Sequence, residues 1–231
     1  MELSKLKSVK ASIISILLSF IILLFGVKIG DKNYWFVSMS LIILAIWLFF
    51  SLFESRKPRA REIVPIAVMS AIAAIGRFAF AMLPQFKPVA AIVIITGMSF
   101  GPEAGFLTGA VSALVSNFFF GQGPWTPWQM FAFGVLGFLA GLLYKYKIIK
   151  NKLSICIFGG IAGYLYGFIV NLWIVSTQLN DITKERLMTI YISSIPFDTI
   201  HAVSTILFLF ILAMPMKEKM ERLKIKYGLF R

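Results

Sequence analysis

Cysteine and histidine each occur once among 231 residues, and acids number ten. The lone thiol, Cys156, forms no intrachain disulfide and has no second thiol to build a metal cluster; set in an apolar run, it reads as a small buried hydrophobe. A single histidine with scattered acids lacks the ligand spacing of a zinc site. No GxxxxGK[ST] loop occurs, so the chain cannot itself hold ATP in a P-loop, and any ATP energy has to come from a partner. Charged residues amount to only 14%. That excludes a water-soluble core.

What is present is apolar: 59% hydrophobic residues and a mean hydropathy of +0.86, the composition of a chain made mostly of membrane spans. The net charge of +13 sits between the apolar runs rather than on a folded basic surface interleaved with aromatics. It therefore fits orientation in a bilayer and not nucleic-acid binding.

Eight segments approach the roughly 20 apolar residues a crossing helix needs: 11–27, 34–53, 63–84, 88–100, 104–120, 126–144, 153–177 and 188–214. Lys5, Lys7 and Lys10 precede the first, but no small-residue cleavage site follows, so it reads as a retained helix. Lys and Arg crowd into alternate connections. "SRKPRAR", "KYKIIKNK" and the tail stand against Lys28, Lys32, Lys87, Lys184 and Arg186 on the other side. This asymmetry places both termini in the cytoplasm. The expected fold is an all-α integral membrane protein: two extra transmembrane helices and a basic linker over 1–60, a six-helix core over 61–216, and a basic cytoplasmic tail over 217–231.

Ionisable groups inside spans are costly, and each is a functional candidate. Arg77, Asp198 and His201 are the three here. Tyr191, Ser194, Asp198, His201 and Thr205 recur at alternating three- and four-residue spacing and draw one polar stripe down the last span. Tyr164, Asn171 and Gln178 repeat the device on the seventh. Arg77 and Asp198 lie at similar depth, which predicts either a charge pair or two ligand contacts. Small residues form ladders that let helices approach closely in lipid: Ala67, Ser70, Ala71 and Ala74 along the third span, Gly101, Gly105 and Gly109, and Gly159, Gly163 and Gly167.

The core's outer connections are "QFK" with Lys87, "GQGPWT", and "QLNDITKER". In "NFFFGQGPWTPWQMF", glycines turn the chain and Pro127 pre-sets the next helix. Trp125 and Trp128 are candidates for stacking on a flat solute or for anchoring at the membrane interface. Asn117, Gln122 and Gln129 complete a polar mouth to an outward cavity that Arg77, Asn171 and Asp198 line.

Six helices with a short second one, an alanine-xxx-alanine stripe on the first, and "KPVAAIVIITG", "GPEAGFLTGAVSALVSNFFFGQGPW" and "TPWQMFAFG" resemble the substrate-binding S component of energy-coupling factor (ECF) transporters, most closely those assigned to cobalamin uptake. The resemblance implies a vitamin importer of the cell membrane that binds no cofactor itself. Its partners would be a transmembrane coupling subunit, docked on Ala67 and Ala71, and two ATP-binding subunits. Riboflavin, another vitamin or a nucleoside-like precursor are alternative solutes. The competing functions are a self-sufficient secondary transporter with Asp198 and His201 as a proton relay, and an intramembrane enzyme using the same two residues as acid and base.

Overall fold

A computed structural model describes Trp47, residues 60–177 and residues 183–229. The two leading spans apart from Trp47, most of the linker, and Gln178 lie outside the described residues. Within them all regular structure is helical: α1 Ala60–Ala79, α2 Val89–Phe100, α3 Pro102–Phe120, α4 Thr126–Lys145, α5 Lys152–Thr177 and α6 Lys184–Tyr227. All but α2 are long and apolar enough to cross a membrane.

The first core helix stops at Ala79, short of the expected limit at 84, because the 80–88 connection folds back on itself. Lys87 Nζ donates to the carbonyls of Phe80 (3.2 Å) and Leu83 (2.8 Å). Gln85 adopts φ 55°. Gly76 makes room for the return, since an added Cβ there would lie 2.7 Å from Pro88 Cγ.

α2 has 12 residues, all buried, and at 1.5 Å per residue it spans about 18 Å, well short of a hydrocarbon core of about 30 Å. It survives in a membrane because it touches all five other helices, which shield its ends from lipid. Gly101, at φ 103°, separates α2 from α3 and has no neighbour within 4 Å of an added Cβ. It is a hinge between helices rather than the top rung of a packing ladder. Gly105 and Gly109 do pack: a Cβ at Gly105 would collide with the Gly137 carbonyl, and one at Gly109 with the Phe133 backbone. Gly97 meets the same Gly137 carbonyl, so α2, α3 and α4 converge at near backbone contact.

α5 and α6 form the second close pair. Gly159 faces Leu209, Gly163 faces Ala202, and Gly167 faces the Asp198 carboxylate. α6 runs 44 residues with Pro196 and Pro215 inside it, far beyond the expected span of 188–214. Lys, Glu, Met, Leu and Arg around its apolar centre are good helix formers, so the helix outlasts its hydrophobic run. Residues 217–227, expected as a separate tail, continue α6 until Gly228 caps it in left-handed geometry, φ 57°. Lys224 Nζ ties this end to the Ser99 carbonyl at the α2–α3 junction, at 3.0 Å.

α1 is peripheral and packs mainly on α2 and α3. Its small residues divide: Ser70 and Ala74 face inward, whereas Ala67 and Ala71 are exposed beside Ile63, Val64, Val68, Ile72 and Ile75.

Candidate functional site

Two polar groupings occupy the end of the bundle that carries the 80–88 connection and the 121–125 turn. The first joins α1, α3 and α4. Arg77 Nη1 donates to Ser116 Oγ (2.6 Å) and Asn117 Oδ1 (2.7 Å). Asn117 Nδ2 donates in turn to Thr126 Oγ1 (2.9 Å) and Gln129 Oε1 (2.8 Å). Thr126 Oγ1 donates to Gln122 Oε1 at 3.0 Å and accepts the Gly123 N–H at 3.2 Å. Gln122 Nε2 closes the turn on the Leu114 carbonyl at 2.9 Å. The Arg77 guanidinium lies 4.7 Å from the Phe120 ring centroid, and Lys87 Nζ lies 5.7 Å from the same ring. Burial and the neighbouring Arg77 charge hold the Lys87 ammonium below its ordinary range.

This network replaces the predicted Arg77–Asp198 charge pair. α1 packs on α3 rather than α6, so the guanidinium reaches Ser116 and Asn117 first. Asn117 is its hub. Losing three side-chain bonds at about 0.6 kcal/mol each in a membrane bundle predicts that Asn117→Ala costs about 2 kcal/mol, read as a lower melting midpoint in detergent.

The second grouping is a cavity of about 350 Å³ between α5 and α6, reached on one side by Gln85. Its polar lining comes from Gln85, Tyr166, Asn171, Ser193, Ser194 and Asp198, and its apolar lining includes Val170, Ile174, Ile190 and Phe197. Asp198 Oδ2 accepts from Ser194 Oγ at 2.8 Å. Asn171 is 8% exposed, and its Nδ2 has no hydrogen-bond partner among the described residues. The carboxylate reaches the α5 backbone only because position 167 is glycine. Any Cβ there would overlap Oδ1.

The sequence-predicted residues therefore separate. Asn171 and Asp198 line the cavity. Arg77, Asn117, Gln122 and Gln129 build the neighbouring network, and Lys87 clasps the 80–88 connection. His201 is buried, its ring edge-on to Tyr166 at 4.7 Å and to Phe133 at 6.2 Å. Trp125 is half-exposed, whereas Trp128 is 1% exposed in the core and stands neither at an interface nor in the cavity lining. Tyr164, expected on the Asn171 stripe, is exposed and paired with Thr199 at 2.8 Å. Gln85 and Tyr166 were missed as individual site residues. Only the polar character of "QFK" signalled the first, and the apolar run around the second hid it.

The described helices form a bundle long and apolar enough to cross a membrane, with a mainly apolar cavity at one end. Over residues 57–218 the chain matches the family described as ECF-type riboflavin transporter, S component, and it belongs to that family of transporter components, which is not a family of enzymes. Among curated relatives it is 33% identical over 100 residues to a UPF0397 protein of Vibrio atlanticus, covering 41% of this chain and 53% of the relative. It is 31% identical over 100 residues to a UPF0397 protein of Aliivibrio fischeri, with the same coverages. The chain spans about half the length of the curated relatives it matches. No solved structure matches it. The family description names riboflavin, so the expected preference for cobalamin has no support among these relatives.

Proposed function

We propose that this chain is the substrate-binding subunit of an ATP-driven ECF-type importer of the cell membrane. It captures a compact vitamin in the α5–α6 cavity and delivers it with a coupling subunit and two ATP-binding subunits. The cavity carries this reading. It is concave, mainly apolar and walled by Tyr166 and Phe197, and Asn171 in its lining carries a buried amide with no hydrogen-bond partner among the described residues, the arrangement of a small-molecule site. Its volume of about 350 Å³ suits a solute of flavin size. A corrinoid is several times larger. The Gln85 connection and the 121–125 turn face outward in this reading, in keeping with the Lys and Arg asymmetry.

The test is the visible spectrum of detergent-purified protein after exposure to riboflavin or cobalamin and washing. Retained flavin near one per chain supports the reading, retained corrinoid restores cobalamin, and retention of neither overturns capture of either vitamin. Uptake into vesicles without ATP or partner subunits would instead favour the secondary transporter. An Asn171→Ala variant should bind about tenfold more weakly, because one buried hydrogen bond is worth about 1.4 kcal/mol. Titration of intrinsic fluorescence measures it.

A further inference from the structure

At the helical rise α6 is about 66 Å long, roughly twice the hydrocarbon thickness, yet its last turns do not leave the bundle. Lys217 Nζ lies 4.8 Å from the Tyr144 ring centroid at the end of α4, Met220 packs on the core, and Lys224 Nζ holds the Ser99 carbonyl at 3.0 Å. These three recur at gaps of three and four residues, so they mark one face of the helix, turned to the protein. Leu229, just past the Gly228 cap, is buried. Lys219, Arg222 and Lys226 recur at the same spacing on the opposite face, and all three are exposed. Ile225 stands beside them, 74% exposed. The α4–α5 turn, brought alongside by the Tyr144 contact, exposes Lys145, Lys147, Lys150 and Lys152 around an exposed Ile148. Across residues 145–152 and 217–227, nine Lys and Arg stand against two acids, Glu218 and Glu221, and Glu221 is paired with Lys217 at 3.5 Å. The linker outside the described residues adds Arg56, Lys57 and Arg59 against Glu54.

We infer that this end of the bundle is a docking surface for anionic phospholipid, with the last turns of α6 lying in the headgroup layer. Lys219, Arg222 and Lys226 hold the phosphates together with the lysines of the α4–α5 turn, and Ile148 and Ile225 enter the acyl boundary just beneath. Cations interleaved with exposed branched aliphatic side chains are what such a position requires. Orientation in the bilayer needs cations near the end of a span. It does not need them arrayed along one face of a helix whose other face is fixed to the protein. Bound lipid presses that fixed face onto the α2–α3 junction, where Lys224 meets Ser99, so it stabilises the bundle. The surface is independent of solute capture and lies apart from the cavity lining.

Phosphatidylglycerol and phosphatidylcholine, each titrated into the purified full chain in an uncharged detergent, test the surface. Phosphatidylglycerol should raise the melting midpoint and bind about tenfold or more tightly than phosphatidylcholine at low salt. The triple variant Lys219→Gln, Arg222→Gln and Lys226→Gln should bring that ratio to within about twofold, and high salt should do the same to the unmodified protein. Lys184→Gln with Arg186→Gln, at the other end of α6, should leave it unchanged. In phosphatidylcholine the triple variant should melt with the parent; a lower midpoint there would make the stripe part of the fold and overturn the proposal. Equal affinities for the two lipids, or a ratio unmoved by the triple variant, overturn it as well. Glycerol phosphate displacing phosphatidylglycerol at equal concentration would assign the stripe to soluble anions. Lost copurification with ATP-binding subunits, with the lipid ratio intact, would assign it to a protein partner.

Discussion

Gly137→Ala should destabilise the bundle strongly, as should the other methyl additions where α2, α3 and α4 meet at backbone contact. The added Cβ meets the carbonyl carbon and oxygen of Gly105, atoms of a neighbouring helix backbone that cannot rotate aside as a side-chain tip can. Overpacking a well-filled interior costs about 1–3 kcal/mol even where side chains can adjust. Relief here requires α3 to move away from α4, and α2 with it, because Gly97 leans on the same Gly137 carbonyl. The expected loss is about 3 kcal/mol or more, against a gain of about 1 kcal/mol in helix propensity from replacing glycine. Gly160→Ala provides the contrast. Its nearest obstacle, at 3.2 Å, is the flexible Cδ1 of Ile206, so it should melt close to the unmodified protein. Thermal unfolding in one detergent compares them, and a Gly137→Ala protein that melts like the parent would show that the three helices are not in backbone contact.

The helices of the core were largely legible because apolar runs bounded by glycine and proline declare themselves. Pro102 and Pro127 sit in the first turns of α3 and α4, where the missing N–H costs nothing. The end of α6 was not legible, since hydropathy reports where lipid stops and not where a helix stops. The partners of Arg77 were obscured for a different reason. Residue counting gives depth along a helix, and two groups at equal depth need not face one another; Arg77 looks to α3 and Asp198 to α5. Trp128 was misplaced because α4 is apolar on nearly every face, leaving no periodic signal to say which side is buried. Of the stripe expected on α6, Ser194 and Asp198 line the cavity, whereas Tyr191, His201 and Thr205 do not. Gln85 depends on a positive φ in a folded-back connection, which no spacing rule anticipates.

Leucine or tryptophan at both Ala67 and Ala71 should abolish ATP-driven uptake while leaving ligand affinity within about twofold. The two alanines lie on the exposed side of α1, away from Ser70, Ala74 and Met69, which pack inward. Neither touches the cavity lining. A run of Ile63, Val64, Val68, Ile72 and Ile75 surrounds them, so the alanines form a shallow lane between larger side chains. In lipid such a lane brings no hydrophobic gain of its own, because acyl chains solvate leucine as well as a helix does. Its use is to let another backbone come close enough for dispersion contact. If the coupling subunit docks here, as the proposed function has it, filling the lane removes that approach without disturbing the interior, so folding and binding persist while assembly fails. Copurification, ligand titration and uptake measured on the same variant separate the cases. Lost binding with intact assembly would assign the face to the fold of the ligand site, and undiminished uptake would leave it facing lipid alone.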